Sequence, residues 1–214
     1  MDKLQTIVDT VCAELEAKNA ARDQTLRRSR ELIRHCANSI RATHRDEFAD
    51  AQALLATARA AAAEMVADIR QYPDLYYAGY TRDALKELTE AHITYAIVTG
   101  DNLPTPEDLD VEPAAYLNGL AEAMGEMRRY VLDRLRRGDV ATGERLLAVM
   151  DDVYTLLITV DFPDAITGGL RRNTDMVRGV LERTRGDLTT AVRQEEMKTA
   201  LRAFGEQVDV AIED

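Results

Sequence analysis

From Asp2 to Arg45 the chain runs without a proline or a glycine. So long a stretch free of both helix breakers predicts one long first helix. Asp46 to Tyr72 reads as a second. Its alanine-rich run from Ala56 to Ala63 favours close packing, and Leu54, Leu55, Met65, Val66 and Ile69 keep one side apolar until Pro73 ends it. A third helix follows the tyrosine-bearing segment Asp74–Tyr80 and stops at Gly100, where Ala91 to Val98 is apolar nearly all round, as in a buried helix. Asp101 to Pro113, with three prolines and five acids, predicts a loop. A fourth helix should run from about Ala114 to Arg137, and an apolar fifth from Thr142 to Thr159. Asp161-Phe-Pro-Asp164 breaks that one and offers Asp164 as a cap for a sixth, which contains Gly168-Gly169 and continues to Arg185. Gly186-Asp187 then reads as a turn, and Leu188 to Asp214 as a final helix with an acidic end. No segment alternates with the period of a strand, so the expected fold class is all-α.

A chain of 214 residues fits one domain, expected over 1–214. No apolar run approaches the roughly 20 residues needed to span a bilayer. Met1-Asp-Lys-Leu-Gln-Thr lacks the pattern of a secretion signal, and Cys12 and Cys36 are too few for a disulfide framework or zinc site. The expectation is a cytoplasmic protein with reduced cysteines and no membrane partner. A net charge of −11 argues against indiscriminate nucleic-acid binding.

Two acidic stretches stand out. In Glu87-Leu-Thr-Glu90 two carboxylates are three residues apart, and in Glu122-Ala-Met-Gly-Glu126 four apart. Either spacing puts both acids on one helix face, about a turn apart. On the second helix Leu117, Leu120, Met124, Met127, Val131 and Leu135 form an apolar stripe. The acids fall nearly opposite it, beside Ala115 and Gly119, so a partner backbone or an extended ligand could come close to them. Taken singly, each pair reads as a solvated face, and Glu126 as a helix-surface partner of Arg129. Taken together, the carboxylates of two packed helices make a hard oxygen cage suited to Mg²⁺ or Mn²⁺.

Charge is also concentrated on the first helix, where Arg22 to Arg45 holds seven arginines and two histidines against Asp23 and Glu31. Arg27, Arg30, Arg34, Arg41 and Arg45 line one narrow stripe, while Ser29, Ile33, Cys36 and Ile40 should pack inward. Eighteen residues at roughly 1.5 Å each give a rail about 27 Å long, suited to tracking phosphates, with His35 and His44 as possible additions. The rival reading is a basic face neutralised by the acid-rich residues 46 to 126. Tyr76, Tyr77 and Tyr80 either stack on bases or close an edge of the core. No Ser-His-Asp or Cys-His arrangement, Walker loop or dinucleotide fingerprint is present, and Gly168-Gly169 alone does not make a phosphate loop.

Four passages, in order, resemble the translin family, which comprises translin and translin-associated protein X. They are Glu14-Leu-Glu through Arg22-Asp and Leu26-Arg-Arg-Ser-Arg-Glu31 to Ala42-Thr-His-Arg45; Leu85-Lys-Glu-Leu-Thr-Glu-Ala91; Tyr116-Leu-Asn-Gly to Gly125-Glu-Met-Arg128; and Gly169-Leu-Arg-Arg172 leading to Arg185-Gly186. The short loops resemble a compact, archaeal-type member. The resemblance implies a seven-helix antiparallel bundle assembling into a hollow homo-octamer that binds single-stranded or short duplex RNA, or single-stranded DNA. For the X-type partner it further implies a Mg²⁺-dependent endoribonuclease. Its catalytic carboxylates fall on Glu87, Glu90 and Glu122, with Glu126 beside them. The first three would be the metal ligands, and Arg27 to Arg45 the nucleic-acid contacts. Glu122 stands where the X-type pattern often has Asp, one methylene shorter. The full acidic set makes the chain X-like, the alternative being a translin-like binder without catalysis. A third reading, a purely structural or protein-interaction bundle, draws on the acidic net charge.

Overall fold

A computed structural model describes residues 1–212, with side chains through Glu206; Glu213 and Asp214, the end of the expected final helix, lie outside the described residues. The helices, in order, are α1 (Asp2–His44), α2 (Phe48–Ile69), α3 (Pro73–Tyr76), α4 (Gly79–Thr99), α5 (Pro106–Leu109), α6 (Pro113–Arg136), α7 (Val140–Leu157), α8 (Asp164–Thr167) and α9 (Leu170–Ile212). Among the described residues there is no strand. The all-α reading therefore holds, with six long helices and three of a single turn. No helix among them is long and apolar enough to cross a membrane.

Two compact units emerge. The first is Met1–Ala123 with Phe162–Leu170, and the second Met124–Asp161 with α9 from Arg171 onward. In the first, α1, α2 and α4 pack around Leu32, Cys36, Ile40, Leu55, Met65, Leu85 and Leu88, closed by Leu109 of α5 and Val111 and Ala115 of the α6 entry. The inward set expected on α1 is present, with Ser29, Cys36 and Ile40 buried and Ile33 packed on the core edge. A tight turn brings α2 back along α1. Ser39 Oγ donates to the Ala51 carbonyl at 3.0 Å, and Asp46 takes the left-handed conformation at φ 63° that its short polar side chain tolerates. The first four turns of α1 instead expose Leu4, Ile7, Val8, Val11 and Leu15.

Three local readings are corrected. The acidic loop contains α5, nucleated by a capping box in which Thr105 Oγ1 accepts from Asp108 N–H at 3.1 Å and Asp108 Oδ2 from Thr105 N–H at 2.9 Å. Gly168 and Gly169 precede α9 rather than lying in it, with φ of 62° and 89°. The turn expected at Gly186-Asp187 is absent, so the expected sixth and final helices are one. A mid-helix glycine costs about 1 kcal/mol. Here Leu181, Thr184 and Leu188 bury a continuous stripe on either side of it, which outweighs that cost.

Candidate metal centre and nucleic-acid interface

Glu87 and Glu90 project from adjacent turns of α4, and what α6 brings to them depends on Gly119. A Cβ at Gly119 would stand 2.7 Å from the Lys86 carbonyl oxygen and 2.7 Å from Thr89 Cβ. Only a residue without a side chain lets the two backbones meet there. The partner backbone left open by the sequence is thus α4. Glu122, one turn beyond Gly119, is delivered to the acids of α4. Carboxylate oxygens of Glu87, Glu90 and Glu122 lie within 4.8 Å of one another. Glu90 is only 9% exposed, and the Glu122 side chain 25%, so neither is a solvated-face residue.

Beside them lies Lys86, whose Nζ is 2.9 Å from Glu122 Oε1 and 2.8 Å from Oε2. Burial pushes its ammonium pKa down. The hydrogen bond it donates to Glu122, with the charges of Glu122, Glu87 and Asp83, outweighs that and holds it above the ordinary lysine value. From α1, Cys36 borders the same acids. Its thiol is pushed up to about 12, first by burial and then by Glu87 and Glu90. A native chain at pH 8 should therefore titrate one thiol, the exposed Cys12, with a disulfide-exchange reagent and two once unfolded; two fast native thiols would contradict this packing. His92 stays out of the acidic group. Its Nδ1 is bonded to the Leu88 carbonyl at 2.9 Å, and burial holds its pKa below the usual histidine value.

Three carboxylates and one ammonium leave a formal charge of −2. At about 4.8 Å, each pair of like charges costs roughly 3 kcal/mol at an effective dielectric near 20. A divalent cation held among the three would offset that repulsion. The all-oxygen donor set fits Mg²⁺ or Mn²⁺.

All five rail arginines, Arg27, Arg30, Arg34, Arg41 and Arg45, are exposed. Arg27 donates to Gln24 and Arg41 to Asn38. Arg45 pairs with Glu47, its Nε 2.8 Å from the carboxylate. Arg30 and Arg34 have no ion-pair partner among the described residues. Neutralisation by α2 falls on Arg28 instead, which is off the stripe, donates to Glu64 and forms an ion pair with Asp68 at 2.9 Å. His44 is buried and does not extend the rail; His35 is half-buried. At 3.6 residues per turn the rail lies roughly 120° to 180° round α1 from Cys36, the residue that borders Glu87 and Glu90.

The chain is 30% identical over 207 residues to an uncharacterised protein, MJ0175, of Methanocaldococcus jannaschii, covering 94% of this chain and 88% of that protein. It is 38% identical to a solved structure of AfC3PO bound to duplex RNA, with a TM-score of 0.81 over 87% of this chain and 97% of that one. A crystal structure of AfC3PO superposes at a TM-score of 0.80 with the same identity and coverage. The structure of apo-NeC3PO, at 19% identity, shares the fold, with a TM-score of 0.79 over 86% of this chain and 96% of that one. This chain belongs to the translin and translin-associated protein X family. No family model matches it.

Of the four acids the translin-family resemblance singles out, three are gathered in the first unit. Glu126 falls in the second unit, where its carboxylate has Arg129 Nη1 at 3.9 Å. The residue sequence reasoning missed is Lys86. Its signal was position: it adjoins Glu87, and in a helix it shares a face with Glu90. Among the tyrosines, Tyr76 packs on the core edge while Tyr77 is exposed and meets Tyr76 edge-on, ring centroids 5.1 Å apart.

Proposed function

We propose that this chain is a cytoplasmic Mg²⁺-dependent endoribonuclease of the translin-associated X type, acting on single-stranded or short duplex RNA inside a hollow homo-oligomer. The observation that carries the reading is the cluster of carboxylate oxygens from Glu87, Glu90 and Glu122 within 4.8 Å of one another. RNA as the substrate class draws support from the 38%-identical relative whose structure contains duplex RNA. Self-assembly draws support from α1, where Leu4, Val8, Val11 and Leu15 recur at steps of four, three and four on an exposed face, the spacing of a coiled-coil seam.

Glu87, Glu90 and Glu122 would hold the divalent ion as carboxylates. The ion, when bound, supplies an activated water for attack on a phosphodiester and stabilises charge on the leaving oxygen. Arg30 and Arg34, with Arg27, Arg41 and Arg45 flanking them, grip successive phosphates, so sequence preference is weak. Because the rail faces away from the α1 side chain that borders the acids, a strand lying on one copy's rail is best placed for the cluster of another copy. Single-stranded DNA fits the same phosphate contacts.

A second reading, a translin-like binder without catalysis, is favoured by one observation: Lys86 engages both oxygens of Glu122. Cleavage of a labelled single-stranded RNA with Mg²⁺ separates the two. Wild-type protein should cleave, and Glu87→Ala/Glu90→Ala should bind equally well without cleaving. Binding without cleavage by both proteins would leave the binder.

A further inference from the structure

We propose that Lys86 is a tethered rival of the divalent ion: it occupies Glu122 when the site holds no metal and so sets how much metal is needed to load the site. The inference rests on the metal centre argued above and adds a residue to its control. Three observations carry it. Lys86 Nζ sits 2.8 and 2.9 Å from the two oxygens of Glu122, so neither oxygen is clear of the ammonium. Glu122 is one of only three carboxylates in the cluster, so the contact falls on a ligand and not on a bystander. The backbone that carries Lys86 is pinned, since its carbonyl lies against Gly119 at van der Waals closeness.

The direction of the effect follows from charge. A divalent ion binds a carboxylate oxygen at about 2.1 Å, which would put it no more than about 5 Å from an ammonium still on Glu122. Repulsion between a single and a double positive charge at that distance, even in a water-like medium, weakens binding by about tenfold. Removing Lys86 also removes a group that Glu122 must release before it can ligate an ion. Both effects push the same way, toward tighter metal binding without the lysine. A lysine that merely braced Glu122 would have the opposite signature, because losing it would misplace a ligand and weaken binding.

The test is calorimetric titration of Mn²⁺ into the full chain, without RNA, at fixed pH and ionic strength. Lys86→Met and Lys86→Gln are each expected to bind Mn²⁺ about tenfold more tightly than wild type, and Lys86→Arg to return to the wild-type affinity. Gln is one bond shorter but keeps an amide N–H that can donate to Glu122, so it carries the comparison if Met disturbs folding. Equal or weaker binding in both neutral variants, with wild-type uptake intact, overturns this inference alone. A wild type that takes up no Mn²⁺ overturns the metal centre on which it stands.

Discussion

Gly119→Ala is expected to lower the melting temperature by roughly 5 to 10 °C, and Gly119→Val to abolish a cooperative fold. The new Cβ would lie 2.7 Å from both the Lys86 carbonyl and Thr89 Cβ. Backbone cannot swing aside as a flexible side chain can, so α4 and α6 must separate. Overpacking of this kind costs about 1–3 kcal/mol per methyl and sometimes more, and a chain of this size loses roughly 2–4 °C per kcal/mol. Gly125→Ala on the same helix is the internal control. Nothing lies within 4 Å of its Cβ, so replacing this helical glycine should stabilise by about 0.5–1 kcal/mol. Thermal melts followed by circular dichroism read both. Similar small shifts for the two alanine variants would mean that α4 and α6 do not cross closely at Gly119. The first substitution should also cost the acidic cluster, because the contact that sets the helix separation delivers Glu122.

Removing the α1 rail has the other large expected effect. With Arg27, Arg30, Arg34, Arg41 and Arg45 all changed to Ala, the logarithmic salt slope of RNA binding should become shallower by up to about 3.5, at roughly 0.7 for each phosphate of a single strand that is no longer neutralised. Arg30 and Arg34 should account for most of it, since Arg45 is already engaged by Glu47 and Arg27 by Gln24. Arg28→Ala should leave the slope unchanged and instead reduce stability, because its guanidinium joins α1 to Glu64 and Asp68 of α2. Fluorescence anisotropy of a labelled oligonucleotide across a salt series measures the slope. A five-fold variant with an unaltered slope would remove the rail from the interface and leave only a solvated basic face.

The parts legible in the sequence were those fixed by local rules. Helical period and breaker positions gave α1, α2, α4, α6 and α7 to within a few residues, and the same period separated the exposed arginines from Cys36 and Ile40. Glycine was misread at one position and read rightly, with two alternatives left open, at another. At Gly186 it does not end the helix, because buried Leu181 and Leu188 hold the stripe across it. At Gly119 the small residue expected to admit a partner backbone or an extended ligand proved to be the contact point of two helices. The acids Glu87, Glu90 and Glu122 were legible as candidates, but their meeting depends on a crossing between helices that no single-helix pattern encodes. Lys86 was missed for the same reason. Its partner is 36 residues away on another helix, and on its own helix it looks like an ordinary surface lysine.

Everything proposed for the site depends on Glu87, Glu90 and Glu122 together forming one divalent-cation centre. Electron paramagnetic resonance of free Mn²⁺ during titration into wild type, Glu90→Gln and Glu122→Gln tests this most directly. Gln keeps the side-chain shape and removes the charge. One Mn²⁺ should be taken up per wild-type chain, with at least a tenfold loss of affinity in each variant. Equal uptake by all three proteins would contradict the shared centre, because the ion would then be bound elsewhere.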